Sequence, residues 1–130
     1  MKKLSQLPDA EFEIMQVIWN NPAPITSTQV DILVNRQKTW HISTVQTLLR
    51  RLVGRGFLSA EKNGKERLYT PLVSHDEYLR TETEIFMEKF SKKSPSALIR
   101  AMYAGKKPSD DEIIEIEKWF KGETESETEG

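Results

Sequence analysis

The sequence predicts a mainly α chain with a small β-hairpin wing. The expected layout is an N-terminal winged helix-turn-helix over residues 1–72, a C-terminal helical dimerisation region over 73–121 and a disordered acidic tail over 122–130. Three observations point there. Successive segments up to Gly54 carry apolar residues at helical spacing. An Asn-Gly pair then sits between two strand-like runs. Further helical segments follow, opened by capping signals or a proline.

Asp9 to Asn20 reads as the first helix. Phe12, Met15 and Trp19 recur at helical spacing, with Ile14 and Ile18 beside them. Pro8 suits a first turn, and Asn20-Asn21-Pro22 ends the helix. Thr26 and Gln29 form a capping box for the second helix, whose apolar stripe is Val30, Leu33 and Val34. Ser43 and Gln46 make another box for the third. Its residues Val45, Leu48, Leu49 and Leu52 fall on one face, while Thr47, Arg50 and Gly54 lie opposite, flanked by Gln46 and Arg51. Gly54 and Gly56 end it.

The runs 57–62 and 65–70 flank Asn63-Gly64, a strong short-range hairpin signal, and Pro71 closes the second strand. Ser74 and Glu77 open a helix to about Phe90, striped by Tyr78, Leu79, Ile85, Phe86 and Phe90. Lys92-Lys93-Ser94-Pro95 breaks it. Pro95 starts a short helix through about Tyr103, with Leu98, Ile99 and Met102 apolar. Ser109 and Glu112 open the last, which carries Ile113, Ile116 and Phe120. After Gly122 the Glu-Thr-Glu-Ser-Glu-Thr-Glu run has no apolar residue, so disorder is expected.

Composition narrows the function. Of 130 residues, 37% are hydrophobic and 30% charged, as in a soluble globular chain. The longest apolar run, Ala101 to Ala104, falls far short of the about 20 residues a membrane span needs, so no membrane insertion is expected. No apolar signal core follows Met1-Lys2-Lys3, which suggests a cytoplasmic protein. There is no cysteine, which excludes disulfides, thiolate metal sites and cysteine nucleophiles. His41 and His75 lie far apart, and no glycine-rich phosphate loop is present. No catalytic, cofactor or metal site is therefore expected, and the enzyme reading has no constellation to rest on.

The net charge of −1 hides an asymmetry. Arg36 to Arg67 holds eight basic residues, Arg36, Lys38, Arg50, Arg51, Arg55, Lys62, Lys65 and Arg67, against the acids Glu61 and Glu66. Pro108 to Gly130 holds nine acids against Lys118 and Lys121. A basic block inside a folded segment suggests a polyanionic partner, though a solvated charged face gives the same count.

Helices followed by a hairpin, with cations on the third helix and the hairpin, is the element order of a winged helix. In that architecture the third helix enters the major groove of double-stranded DNA and the second crosses the backbone. Arg50 suits guanine and Gln46 suits adenine, each in bidentate fashion, and Thr47 suits a thymine methyl or a phosphate. Lys62, Lys65 and Arg67 would hold phosphates. Lys38, Thr39, His41, Ser43, Thr44 and Arg51 complete the expected DNA-binding set. Competing uses stay open: Ser43 and Gln46 as the capping box, Thr44 as a first-turn filler, Arg50 in solvent. Trp40 reads as a core or elbow residue. His41 reads as a surface or phosphate-contacting residue, and nothing marks His75 as functional.

The segment Ser5 to Trp19, with its run Leu7-Pro8-Asp9-Ala10-Glu11-Phe12-Glu13 through Trp19, resembles the opening of the penicillinase repressor (BlaI/MecI) family. So do Thr39-Trp40, the stretch Ser43 to Leu52, Gly56-Phe57-Leu58, and Gly64 to Val73 with its Tyr69-Thr70-Pro71. The resemblance covers about residues 4–120. It implies a homodimeric transcriptional repressor that binds inverted-repeat operators and silences genes of antibiotic resistance. It also implies relief by proteolysis in the dimerisation region, triggered by a membrane sensor metalloprotease. Carried over, the cleaved bond would fall near Ala101-Met102, where the family's studied members have Asn-Phe. Those members have a basic residue where this chain has Ser43. The cysteine motifs of the copper-responsive branch are absent.

The C-terminal helices suggest self-association on their own terms. A helix with a narrow apolar stripe must bury it, and a second copy is the simplest partner. The expected dimerisation residues are Tyr78, Ile85, Phe86, Phe90, Leu98, Ile99, Met102, Ile113, Ile116 and Phe120. Folding back onto the winged helix as a monomer is the alternative. An adaptor that binds protein through the basic face is the second functional reading.

Overall fold

The computed structural model describes residues 5–90 and 94–129, with side chains up to residue 122. The chain divides into two compact units, Met1–Ile85 and Phe86–Gly130.

The first unit opens with α1 (Asp9–Trp19), β1 (Ile25–Thr26), α2 (Ser27–Val34) and α3 (Ile42–Gly54). The strands β2 (Leu58–Asn63) and β3 (Glu66–Pro71) follow, and then the start of α4 (His75–Phe90). Helix α1 buries Ile14, Met15 and Ile18 against the core and lays Phe12 and Trp19, half-buried, on a second side. It is thus apolar over more of its circumference than a single stripe. The capping box of α2 is as expected: Thr26 Oγ1 accepts from the Gln29 N–H, and Gln29 Oε1 accepts from the Thr26 N–H.

Helix α3 buries Val45, Leu48, Leu49 and Leu52, the residues the periodicity marked. Its start differs from expectation. The cap is His41, whose Nδ1 accepts from the Ser43 N–H at 3.1 Å, so Ser43 lies inside the first turn. A ring nitrogen acceptor does what a serine hydroxyl would have done two residues later. At the other end the Phe57 N–H reaches Leu52 O and the Gly56 N–H reaches Val53 O, each at 3.0 Å. This is a Schellman closure, and it requires the left-handed backbone of Gly56, φ 84°. Phe57 and Leu58 then turn inward, each 1% exposed.

The hairpin is displaced by one residue from the expected turn. Asn63 pairs with Glu66, so the loop is Gly64-Lys65, and Gly64 carries the positive φ of 66°. The sheet order is β1-β3-β2. The two-residue β1 adds an antiparallel edge that no alternation could announce, pairing Ile25 with Tyr69 and Thr26 with Leu68.

Tyr78 is buried in this first unit and does not lie on an exposed face, which corrects its expected dimerisation role. Its ring meets Phe12, Trp19 and Phe57 at centroid separations of 5.6–5.8 Å. Its hydroxyl accepts from the Leu7 N–H at 2.7 Å and donates to Glu82. Trp19 Nε1 donates to Val73 O, and His75 stands edge-on to Trp19.

The second unit holds the end of α4, then α5 (Pro95–Met102) and α6 (Asp110–Glu129). Ser94 caps α5, with Pro95 in its first turn, and Ser109 Oγ accepts from the Glu112 N–H at the start of α6. The helix runs past Gly122 to Glu129, through the stretch expected to be disordered. Glutamate tolerates helix well when an existing helix only has to be extended. Among its described residues no side chain is buried.

Candidate nucleic-acid interface

The outward face of α3 carries Ser43, Thr44, Gln46, Arg50 and Arg51, all exposed, with Thr47 half-buried among them. A short relay orders this face. Thr47 Oγ1 donates to Ser43 O at 2.9 Å, and Arg50 Nη2 donates to Thr47 Oγ1 at 3.2 Å. The guanidinium is therefore braced along the helix. Because His41, rather than Ser43, caps the helix, the amide of Gln46 is not used in a capping box.

His41 Nδ1 accepts from a backbone N–H, so the neutral tautomer that fits carries its proton on Nε2. Ser43 Oγ lies 2.8 Å from the same Nδ1. The exposed His41 thus places one ring N–H at the start of α3, where the helix dipole favours anions.

The turn into α3 is held by a residue the sequence did not flag. The Asn35 side chain accepts from the Trp40 N–H at 2.6 Å and donates to Trp40 O at 3.0 Å, spanning the bend like a piece of backbone. Trp40 is half-buried against the core, as an elbow residue. Lys38 lies 6.0 Å from its ring centroid and 3.9 Å from a Glu13 oxygen. Thr39 is exposed.

Lys62, Lys65 and Arg67 are exposed on the hairpin. Lys62 and Arg67 are direct cross-strand partners, and Lys65 sits in the turn between them. Like charges placed opposite each other repel, so this site stores an unfavourable contact that an anion relieves. Glu66 is drawn aside by the Thr28 hydroxyl at 2.8 Å.

Arg55 is the basic residue that the count misjudged. Its Nε donates to Glu11, which is 1% exposed on α1. Helical spacing puts Glu11 on the same face as Ile14, Met15 and Ile18, but an acid beside Asp9 and Glu13 does not read as part of the buried stripe. Of the expected dimerisation residues, Phe86, Phe90, Ile99, Met102, Ile113, Ile116 and Phe120 are exposed in the second unit, with Leu98 half-buried. Ile85 is exposed at the end of the first. Ile114 and Trp119, which the sequence reading passed over, are exposed as well. Among the described residues, no group of three His, Asp or Glu side chains is placed to hold a metal ion. No described helix is long and apolar enough to cross a membrane.

Three helices closed by a hairpin, with a polar helix face beside a cationic hairpin, define a winged helix-turn-helix protein. The solution structure of the DNA-binding domain of the repressor BlaI covers 60% of this chain and 94% of its own, at 38% identity and a TM-score of 0.53. The monomeric form of Bacillus licheniformis BlaI in complex with the blaP half-operator covers the same share at a TM-score of 0.50. The penicillinase repressor of Bacillus licheniformis is 31% identical over 116 residues, 89% of this chain and 90% of its own length. The methicillin resistance regulatory protein MecI of Staphylococcus aureus (strain N315) is 27% identical over 114 residues, 88% of this chain and 92% of its own. The profile of the penicillinase repressor family matches residues 7–121. The chain belongs to the penicillinase repressor family.

Proposed function

We propose that the chain is a homodimeric transcriptional repressor that reads inverted-repeat operators in double-stranded DNA. The observation that carries this is the braced Arg50 on the exposed face of α3, set in the same unit as the Lys62–Arg67 hairpin pair. In this reading α3 enters the major groove. Arg50 addresses a guanine edge, Gln46 an adenine edge, and Thr47 a thymine methyl or phosphate. Lys62, Lys65 and Arg67 on the wing grip phosphates, as do Lys38, Thr39, His41, Ser43, Thr44 and Arg51 around the helix start and flank. The half-operator complex of the related BlaI supports a DNA partner.

Dimerisation is supported by the second unit, whose apolar residues Phe90, Ile99, Met102 and Trp119 are all more than half exposed. Faces of this kind are covered in a folded protein, and two-fold symmetry would match a two-fold operator. Relief by a sensor metalloprotease would act at Ala101-Met102, both exposed at the end of α5. Cutting there would unlink the two half-site readers.

The test is selection from a randomised duplex pool at two salt concentrations. A two-fold symmetric motif whose affinity falls steeply with salt is the expected result. Retention without any motif overturns sequence reading, and no retention at low salt overturns DNA binding. Sedimentation of the free protein reports the dimer directly.

A further inference from the structure

We infer that Glu11 and Arg55 are a positioning pair that fixes α3 and the wing onto α1, so that Arg55 serves the geometry of DNA reading and not its phosphate contacts. This rests on the DNA-reading function proposed above. Glu11 is the one charged side chain that is buried among the described residues. A carboxylate so placed is costly without a partner, which ties Arg55 to it. Arg55 is the cap at the end of α3, and the residues after it turn through Gly56 into β2. The pair therefore pins the joint between the reading helix and the wing. Helix dipoles favour the same arrangement. Glu11 lies in the first turn of α1, where negative charge is stabilised, and Arg55 at the end of α3, where positive charge is. Arg55 also belongs to the basic block, so two roles compete for it, and Glu11 separates them. Being buried, Glu11 does not itself reach DNA.

The test compares the full chain with Glu11→Gln, which keeps the shape and removes the charge. The probes are a duplex carrying the selected motif and a scrambled duplex of the same composition. A positioning role predicts that the preference for the motif falls about tenfold, the weight of one misplaced base contact, while the salt slope stays unchanged. A phosphate-contact role predicts the reverse: released Arg55 would tighten binding to both duplexes and steepen the slope by about one. That result, or an unchanged preference, overturns the inference. Arg55→Lys, which retains charge but not the fork, is expected to lose preference in the same direction. If Glu11→Gln does not fold by circular dichroism, the neutral pair Glu11→Gln with Arg55→Met takes its place. Full preference in that double variant would also overturn the inference. Failure of the wild-type chain to prefer the motif would instead count against the function itself.

Discussion

Lys62 stands directly across the hairpin from Arg67, so the wing sets two cations side by side on an exposed edge. Such a pair weakens the hairpin by about 0.2–1 kcal/mol when nothing lies between them. Lys62→Thr should therefore raise the melting temperature of the free protein slightly. It should also weaken binding to every DNA sequence about equally and reduce the salt slope by about one. Calorimetry and titrations at several salt concentrations read both effects. A gain in stability together with undiminished binding would contradict a phosphate role for the wing.

Arg50 differs from the wing cations because Thr47 holds it in place. Arg50→Ala should cost about 1–3 kcal/mol on the selected duplex and relax preference at a single base position. Thr47→Val removes the brace but keeps the volume, so a smaller loss at the same position is expected. Binding to a panel of single-base operator variants separates this from a uniform loss, which would mark Arg50 as another phosphate contact.

Tyr78 makes stability depend on pH in the alkaline range. Burial is the main reason its pKa is pushed up from 10.0 to about 12, with the hydrogen bond to Glu82 adding to it. Below pH 10 the phenol is protonated in both folded and unfolded chains, and its contribution is complete. Between about 10 and 12 the unfolded chain releases the proton first, so stability falls as pH rises. The full difference is worth about 2–3 kcal/mol. Tyr78→Phe has no phenol to titrate and should lose that dependence. At neutral pH it should cost about 1–3 kcal/mol, since the Leu7 N–H is left without its acceptor. Urea unfolding from pH 8 to 12 tests this, and equal pH slopes for both proteins would refute it.

Phe86 and Phe90 meet with ring centroids 4.8 Å apart and planes tilted by 43° on the exposed end of α4. Replacing both with Glu should give a monomer in sedimentation. Operator affinity should fall by about 10²–10⁴, the worth of linking two half-site readers. Binding to an isolated half-site should persist. A dimer that survives the substitution would move the interface to α5 and α6.

Where a single face decides burial, the sequence was easy to read. The stripe Val45, Leu48, Leu49 and Leu52 is found as expected, and so is the Thr26–Gln29 box, whose two bonds lie within three residues. What escaped depends on partners distant in the chain or on unusual chemistry. Tyr78 belongs to the core because its hydroxyl meets Leu7, 71 residues earlier. Helical spacing alone placed it with Ile85 and Phe86. His41 caps α3 through a ring nitrogen, which a search for hydroxyl and carboxylate caps passes over. The wing turn slipped because Gly64 supplies the positive φ to Lys65's loop as readily as to Asn63's. Arg55 counted as a free cation until Glu11 was found beneath it.

The second unit buries none of its described side chains, while the first holds every buried side chain among the described residues. Residues without an interior of their own owe their order to whatever covers them. If a second copy does so, that order is governed by mass action. Dilution alone would then loosen α5 and α6 without any change in the winged helix. The protein's own abundance would set how much of it is assembled to act, and Ala101-Met102 would become most accessible to a protease when copies are scarce.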